Sequence, residues 1–180
     1  MTRAVFLDRD GVLNKAIVRD GKPFSPNSVA EMEIVADAAE ALGELRRHGF
    51  RLIVATNQPD VARGKLTRAQ VDAMNDHLRG RLPLDAVEVC WHDDPDRCDC
   101  RKPEPGLLKR AAEREGISLR ESFMLGDRWR DIEAGQRAGC RTVLIGNGYG
   151  ETFKTQPDVA VGNLSEAVAW ILRQPARQAG

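Results

Sequence analysis

Phe6-Leu7-Asp8-Arg9-Asp10-Gly11-Val12-Leu13-Asn14 closes an apolar run that begins at Ala4, and this junction decides the fold. The unbroken run Ala4, Val5, Phe6, Leu7 suits a strand buried on both faces, as in a parallel sheet covered by helices on each side. Gly11 then permits a sharp turn. Asp8 can face a crevice at the strand's end while the Asp10 backbone carbonyl and side chain curl around the same space.

Further apolar runs occur at Arg51 to Ala55, Ala86 to Cys90, Phe123 to Leu125 and Thr142 to Ile145. Segments of helical period separate them. Ala36 to His48 puts Ala38, Ala41, Leu42 and Leu45 on one face and stops at Gly49, while Thr67 with Gln70 resembles a capping box opening a second helix. Gly106 to Arg114 and Ile132 to Ala138 supply two more, and Ser165 is expected to cap a last helix ending near Leu172. The alternation predicts an α/β fold, a Rossmann-like three-layer sandwich with a mainly parallel sheet. A chain of 180 residues, 42% of them hydrophobic, is expected to form one domain over 1–180, with a metal loop at about 90–101 and a frayed tail at about 173–180.

Asp8, Thr56, Cys90 and Asp127 each lie at or just past the end of an expected strand, the edge where open parallel sheets bind ligands. From Asp10 to Thr56 is 46 positions, and from Thr56 to Lys102 another 46, so neither gap holds a large cap domain. Loops alone are expected to select the substrate.

Lysine plus arginine equals aspartate plus glutamate at 27 each, so no global field draws the protein to nucleic acid or an anionic membrane. The N-terminal apolar stretch, Ala4 to Leu7, is too short for a signal peptide or a membrane span. A cytoplasmic monomer with a small-molecule substrate is the expectation.

Cys90, His92, Cys98 and Cys100 form C-x-H-x5-C-x-C on one excursion after the third of these strands. Three thiolates and an imidazole suit tetrahedral zinc, and four protein ligands leave no position for substrate or water, so the ion is expected to be structural. Free cysteines or a disulfide are the alternatives, the latter disfavoured by the strained C-x-C ring. Arg101 and Lys102 follow Cys100 directly, so a fixed metal node would fix both cations. Cys140 lies outside the cluster and reads as a core residue.

A hard dication such as Mg2+ takes an octahedron of oxygens, only some of them from protein. Asp8, the Asp10 carbonyl and the distant Asp127 meet that demand, and the cation would keep Asp8 ionised beside an anionic phosphate.

The strings FLDRDG, ATNQ, CRKPEPG and GDRWRD, in this order, resemble the four motifs of the haloacid-dehalogenase-like hydrolases. The likeness runs from Ala4 to about Ile145. It implies that Asp8 is a nucleophile that becomes phosphorylated, Asp10 a general acid and base, Thr56 a hydroxyl donor to the phosphoryl group, Lys102 its cationic clamp, and Asp127 a Mg2+ ligand with Asp131 an acid behind it. The zinc loop and missing cap narrow the resemblance to the branch of heptose bisphosphate phosphatases and histidinol-phosphate phosphatases. P-D-V-A-R-G over Pro59 to Gly64 is similar to the former; the short gap between His92 and Cys98 is similar to the latter. Arg9, Asn57, Gln58, Arg63, Arg101 and Arg128 are candidate substrate-binding residues; guanidinium forks suit a second phosphate or sugar hydroxyls. From another class, the chain could be a zinc-stabilised binding module that keeps the fold and no longer catalyses.

Overall fold

The computed structural model describes residues 2–177. In chain order the elements are β1 (Arg3–Leu7), the hairpin β2 (Ile17–Arg19) and β3 (Lys22–Phe24), α1 (Ala38–Arg47), β4 (Phe50–Asn57), the single turn α2 (Pro59–Ala62), α3 (Arg68–Arg79), β5 (Ala86–Cys90), α4 (Gly106–Glu115), β6 (Phe123–Gly126), α5 (Trp129–Ala138), β7 (Arg141–Ile145), β8 (Val159–Val161) and α6 (Leu164–Leu172). Among the described residues the main sheet has six strands in the order β5-β4-β1-β6-β7-β8, and every pairing within it is parallel. From β1 the chain builds outward through β4 and β5, then returns across the sheet to build the other half from β6. β1 and β6 therefore flank the point where strand order reverses, and a crevice opens between their carboxyl ends.

Alternate residues of each strand enter different cores. Val5, Leu7, Leu52, Val54 and Leu125 face a layer built from α1, α3 and α6, while Ala4, Phe6, Ile53, Ala55 and Met124 face α4 and α5. Both faces are covered, which is why the strands read as continuous apolar runs. The three layers and parallel sheet agree with the sequence. No helix among the described residues is long and apolar enough to cross a membrane.

The structure revises four local expectations. α6 is capped by Asn163, whose Oδ1 accepts from Glu166 N at 2.9 Å; Ser165 sits inside the helix and donates its hydroxyl to Asp37 at 2.6 Å. α5 starts three residues before Ile132, because the Asp131 carboxylate accepts the Arg128 N–H at 3.1 Å and closes the first turn from within. Residues 173–177 are tied down rather than frayed: Arg141 donates to Pro175 O at 2.8 Å and Arg177 N to Glu121 at 2.9 Å; residues 178–180 lie outside the described residues. The hairpin β2–β3 follows β1, and its Pro23, Phe24 and Ser25 help wall the crevice, so more than loops shapes the entrance.

Candidate active site

β1 delivers Asp8 to the crevice, where its backbone N–H is held by Leu125 O of β6 at 2.9 Å. Asp127 lies just past β6. Gly11 is the residue that lets the two approach: its φ is +90°, and a Cβ there would lie 1.8 Å from Asp127 Oδ2. Gly126 answers the same need on β6, since a Cβ would come within 2.0 Å of the Asp131 side chain.

Lys102 arrives from the loop after the cysteine cluster, 2% exposed, with its Nζ 2.8 Å from Asp8 Oδ1 and 2.6 Å from Asp131 Oδ1. Burial pulls a lysine's pKa down, but the Asp131 and Asp8 carboxylates prevail and hold Lys102 above the usual lysine range. Burial pushes Asp8 up to about 7, with Lys102 opposing and the Asp131 and Asp10 charges adding. Asp127 is pushed up to about 8 by burial and by the Asp8 and Asp131 charges, against its hydrogen bond from Tyr149. Carboxylates so crowded lack positive charge.

The geometry fits a hard dication. One oxygen each of Asp8, Asp127 and Asp131 lies within 4.8 Å of the others, and Asp127 Oδ1 is buried without a hydrogen-bond partner. Asp131 differs, because Lys102 takes one of its oxygens and the Arg128 N–H the other. Asp8 and Asp127 are thus the better side-chain ligands, with Asp131 behind them.

Asp10 lines the crevice with its carboxylate held by donors from Arg9 (3.1 and 3.0 Å), Asn14 (2.9 Å), Ser25 (2.7 Å) and Gln58 (3.0 Å). That leaves its backbone carbonyl for the cation. Burial alone would raise the Asp10 pKa, but Arg9, Ser25 and Asn14 together hold it below the ordinary carboxylate range. Asp10 is ionised at neutral pH.

Three of the residues expected to touch substrate are also held by other groups of the protein. Arg9 is wholly buried, spent on Asp10 and on Asn75 Oδ1 at 3.1 Å, and does not reach the crevice. An arginine between two turn aspartates is read naturally as exposed; only the approach of Asn75 on α3 shows otherwise. Asn57 clamps the Lys102 backbone with two hydrogen bonds of 3.0 Å. Gln58 is buried and joins Asp10 to Thr56 Oγ1 at 2.9 Å, and both Asn57 and Gln58 also border the outer cleft. Thr56 and Arg128 do line the crevice, and Arg63 and Arg101 flank an outer cleft continuous with it through Asn57.

Arg130, Ser25 and Tyr149 were not singled out from the sequence. Arg130 lines both clefts and bonds Asp94 at 3.1 Å; its place in GDRWRD was the available signal. Tyr149 donates to Asp127 Oδ2 at 2.7 Å. It is the chain's only tyrosine and is set between glycines.

Cys90, His92, Cys98 and Cys100 offer ligand atoms all within 4.8 Å of one another. A tetrahedron with Zn–S bonds of about 2.3 Å has edges of roughly 3.8 Å. The Cys90–Cys98 and Cys98–Cys100 sulfurs are 3.7 and 3.5 Å apart, and Cys90–Cys100 is tighter at 2.9 Å. At Cys98, burial disfavours the thiolate, but the Arg101 and Cys100 N–H groups outweigh it and bring the pKa down to about 7. Donor type, number and spacing fit zinc. Between its ligands the loop carries Asp93, bonded to Arg63 at 2.6 and 2.8 Å, and Asp94, bonded to Arg101 at 2.7 Å. Cys140 is buried in the core.

Residues 99–167 match the family model described as HAD-hydrolase-like. The chain is 35% identical over 156 residues to the D-glycero-beta-D-manno-heptose-1,7-bisphosphate 7-phosphatase of Pseudomonas aeruginosa, covering 83% of this chain and 85% of that protein. It is 34% identical to the D-glycero-D-manno-heptose-1,7-bisphosphate 7-phosphatase of Chlorobaculum tepidum, covering 96% of each. Among solved structures, the D,D-heptose 1,7-bisphosphate phosphatase of B. bronchiseptica, complexed with magnesium and phosphate, superposes with a TM-score of 0.82 at 28% identity, covering 96% of this chain and 99% of that one. A crevice at the β1/β6 reversal, walled by four motifs in this order and shared with such relatives along nearly the whole chain, places the protein in the haloacid-dehalogenase-like hydrolase family.

Proposed function

We propose that the protein is a magnesium-dependent phosphatase that removes the 7-phosphate of D-glycero-D-manno-heptose 1,7-bisphosphate, acting as a cytoplasmic monomer built from a single domain. The observation that carries this reading is the buried contact between Lys102 and Asp8 at 2.8 Å, beside Asp127 with a free oxygen. A carboxylate, a cation and a dication site then meet where a phosphoryl group enters. The relatives' substrate is supported by the outer cleft, which Arg63, Arg101, Arg128 and Arg130 line and where guanidinium groups suit a second phosphate or sugar hydroxyls.

In the mechanism we infer, an Asp8 carboxylate oxygen attacks phosphorus, the bond from phosphorus to the sugar oxygen breaks, and a proton from Asp10 passes to that oxygen. Water then attacks the acyl phosphate, gives its proton to Asp10, and phosphate leaves with Asp8 restored. The low Asp10 pKa suits the second half as it stands. For the first half, Asp10 must gain a proton, which the approach of phosphate negative charge favours. Thr56 donates to the phosphoryl oxygens and Lys102 offsets their charge. Asp8, the Asp10 carbonyl and Asp127 would hold Mg2+, which supplies positive charge for the anionic nucleophile and phosphate. Zinc would sit on Cys90, His92, Cys98 and Cys100 and order the loop that carries Lys102.

The deciding experiment compares kcat/KM for heptose 1,7-bisphosphate and histidinol phosphate. The bisphosphate is expected to be preferred by at least about tenfold, since a second phosphate on an arginine fork adds charge-assisted hydrogen bonds. Preference for histidinol phosphate would overturn the substrate. Absence of magnesium-dependent release from either, with zinc bound and the fold intact, would favour the silent binding module.

The raised carboxyl pKa values yield a prediction about stability. Asp8 and Asp127 sit at about 7 and about 8 when folded, against about 4 unfolded. Between those limits the metal-free folded state holds protons the unfolded chain lacks, so their contribution to stability declines as pH rises through this window. Mg2+ binds the deprotonated pair, and the rise in Tm it produces is expected to be larger near about pH 8 than near about pH 5.5. Equal shifts in thermal melts at the two pH values would contradict this assignment of ligands.

A further inference from the structure

The turn after β7 bears on two successive residues at the end of β6. Gly146 N anchors its base to Val161 O at 2.8 Å. Tyr149 follows with φ 53° and ψ 28°, a left-handed conformation that a tyrosine adopts only when its surroundings impose it. Gly148 and Gly150 on either side share the positive φ. Two contacts hold Tyr149 there: Asn147 Oδ1 accepts its N–H at 3.1 Å, and its hydroxyl donates to Asp127 Oδ2 at 2.7 Å. Two residues on, Glu151 accepts from Arg128 Nε at 2.9 Å. One turn thus holds both Asp127 and Arg128.

The grip on Asp127 is selective between its oxygens. Oδ2 is taken by Tyr149, and Oδ1, buried and without a partner, is the oxygen left over. A carboxylate free to rotate could offer either oxygen in many orientations, and ordering it would then fall on the cation. Held by one oxygen, it presents the other already oriented.

We propose that Tyr149 is a positioning residue for the magnesium site, fixing Asp127 through Oδ2 so that Oδ1 is presented to the cation. This rests on the assignment of Asp127 as a Mg2+ ligand. The Tyr149 hydroxyl bonds Asp127 and the residue does not line the crevice, so its effect passes through Asp127 and shows in metal affinity.

The test is Tyr149→Phe, which keeps the ring and removes the hydroxyl. Isothermal titration of the zinc-loaded, magnesium-free protein with MgCl2 is expected to give a Kd raised by roughly tenfold to hundredfold, the usual effect of losing a partner that orients a metal ligand. In steady-state assays the KM for Mg2+ is expected to rise in parallel, with kcat recovering as Mg2+ saturates. A Mg2+ Kd within about twofold of the unmutated protein's would overturn the proposal. So would a drop in Tm with Mg2+ affinity unchanged, which would make Tyr149 a packing residue only. The calorimetric readout needs no substrate, so an unmutated protein that binds Mg2+ and hydrolyses none of the phosphates offered would refute the phosphatase reading and still test Tyr149. An unmutated protein that binds no Mg2+ would refute both.

Discussion

Replacing Asp8 by Asn is expected to lower kcat by at least about 10^4-fold, because an amide of the same shape cannot attack phosphorus and no other carboxylate in the crevice is free to do so. Asp10 is occupied by Arg9, Asn14, Ser25 and Gln58, and Asp131 by Lys102 and the Arg128 N–H. Asp127 has a free oxygen, but it is needed for the cation. The fold should survive the change. Asp8 is pushed up to about 7 chiefly by burial, so at neutral pH its charge strains the metal-free protein. Asparagine removes repulsion toward Asp127 and Asp131 and keeps a carbonyl oxygen for Lys102, which also retains Asp131 at 2.6 Å. The magnesium-free Tm is therefore expected to stay level or rise, while the gain on adding Mg2+ shrinks with the loss of a ligand. Initial rates and thermal melts with and without Mg2+ test both halves. Turnover within about tenfold of the unmutated enzyme would remove Asp8 as nucleophile. A large fall in the magnesium-free Tm would refute the electrostatic account.

What the sequence showed of this site depended on how local each signal is. Asp8, Thr56, Cys90 and Asp127 were placed at strand ends because a continuous apolar run ends visibly at its first polar residue, and the sheet carries all four to one edge. The zinc ligands were legible for the same reason, lying within eleven residues of one another. Arg9 was misplaced because its fate depends on Asn75, 66 residues away on α3. Asn57 and Gln58 border the clefts as the sequence leads one to expect, but their hydrogen bonds to Lys102 and Asp10 exist only once distant segments are brought together. β2 and β3 escaped notice as three-residue strands with little burial and a proline, and β8 as an equally short edge strand, so none has the apolar run that marks a buried strand. Tyr149 sits in a glycine-rich turn, and nothing local to that turn shows that its hydroxyl meets Asp127, 22 residues away.

If zinc braces the loop that carries Lys102, stability and catalysis should fall together when a ligand is lost, and Cys98→Ser tests both. Cys98 belongs to a cluster in which every cysteine sulfur lies within 3.7 Å of another, and its sulfur accepts the Arg101 N–H at 3.3 Å. A serine at that position neither ligates zinc well nor fills the volume, so bound zinc is expected to fall from one equivalent to a small fraction. The layer formed by α1, α3 and α6 does not include the loop, but Cys90 and Cys100 belong to the layer on the other face and Cys98 packs against it, so the damage should reach that layer and stop there. A loss of about 2–4 kcal/mol, seen as a fall in Tm of roughly 5–15 °C, is the expectation. Activity should fall with it by two routes. Lys102, four residues from Cys98, would lose the fixed loop that delivers its Nζ to Asp8 at 2.8 Å. Asp93 and Asp94, also in the loop, would release Arg63 and Arg101 at the outer cleft. A small aryl phosphate that reaches the crevice alone reports the first route, and the heptose bisphosphate reports both. The variant is expected to lose at least about tenfold in kcat/KM on the aryl phosphate and more on the bisphosphate. Loss confined to the bisphosphate would show that zinc serves the arginines and that Asn57, holding Lys102 by two hydrogen bonds of 3.0 Å, suffices to place the lysine. A zinc-free variant with full activity on both substrates and unchanged Tm would show that the metal braces nothing the reaction uses.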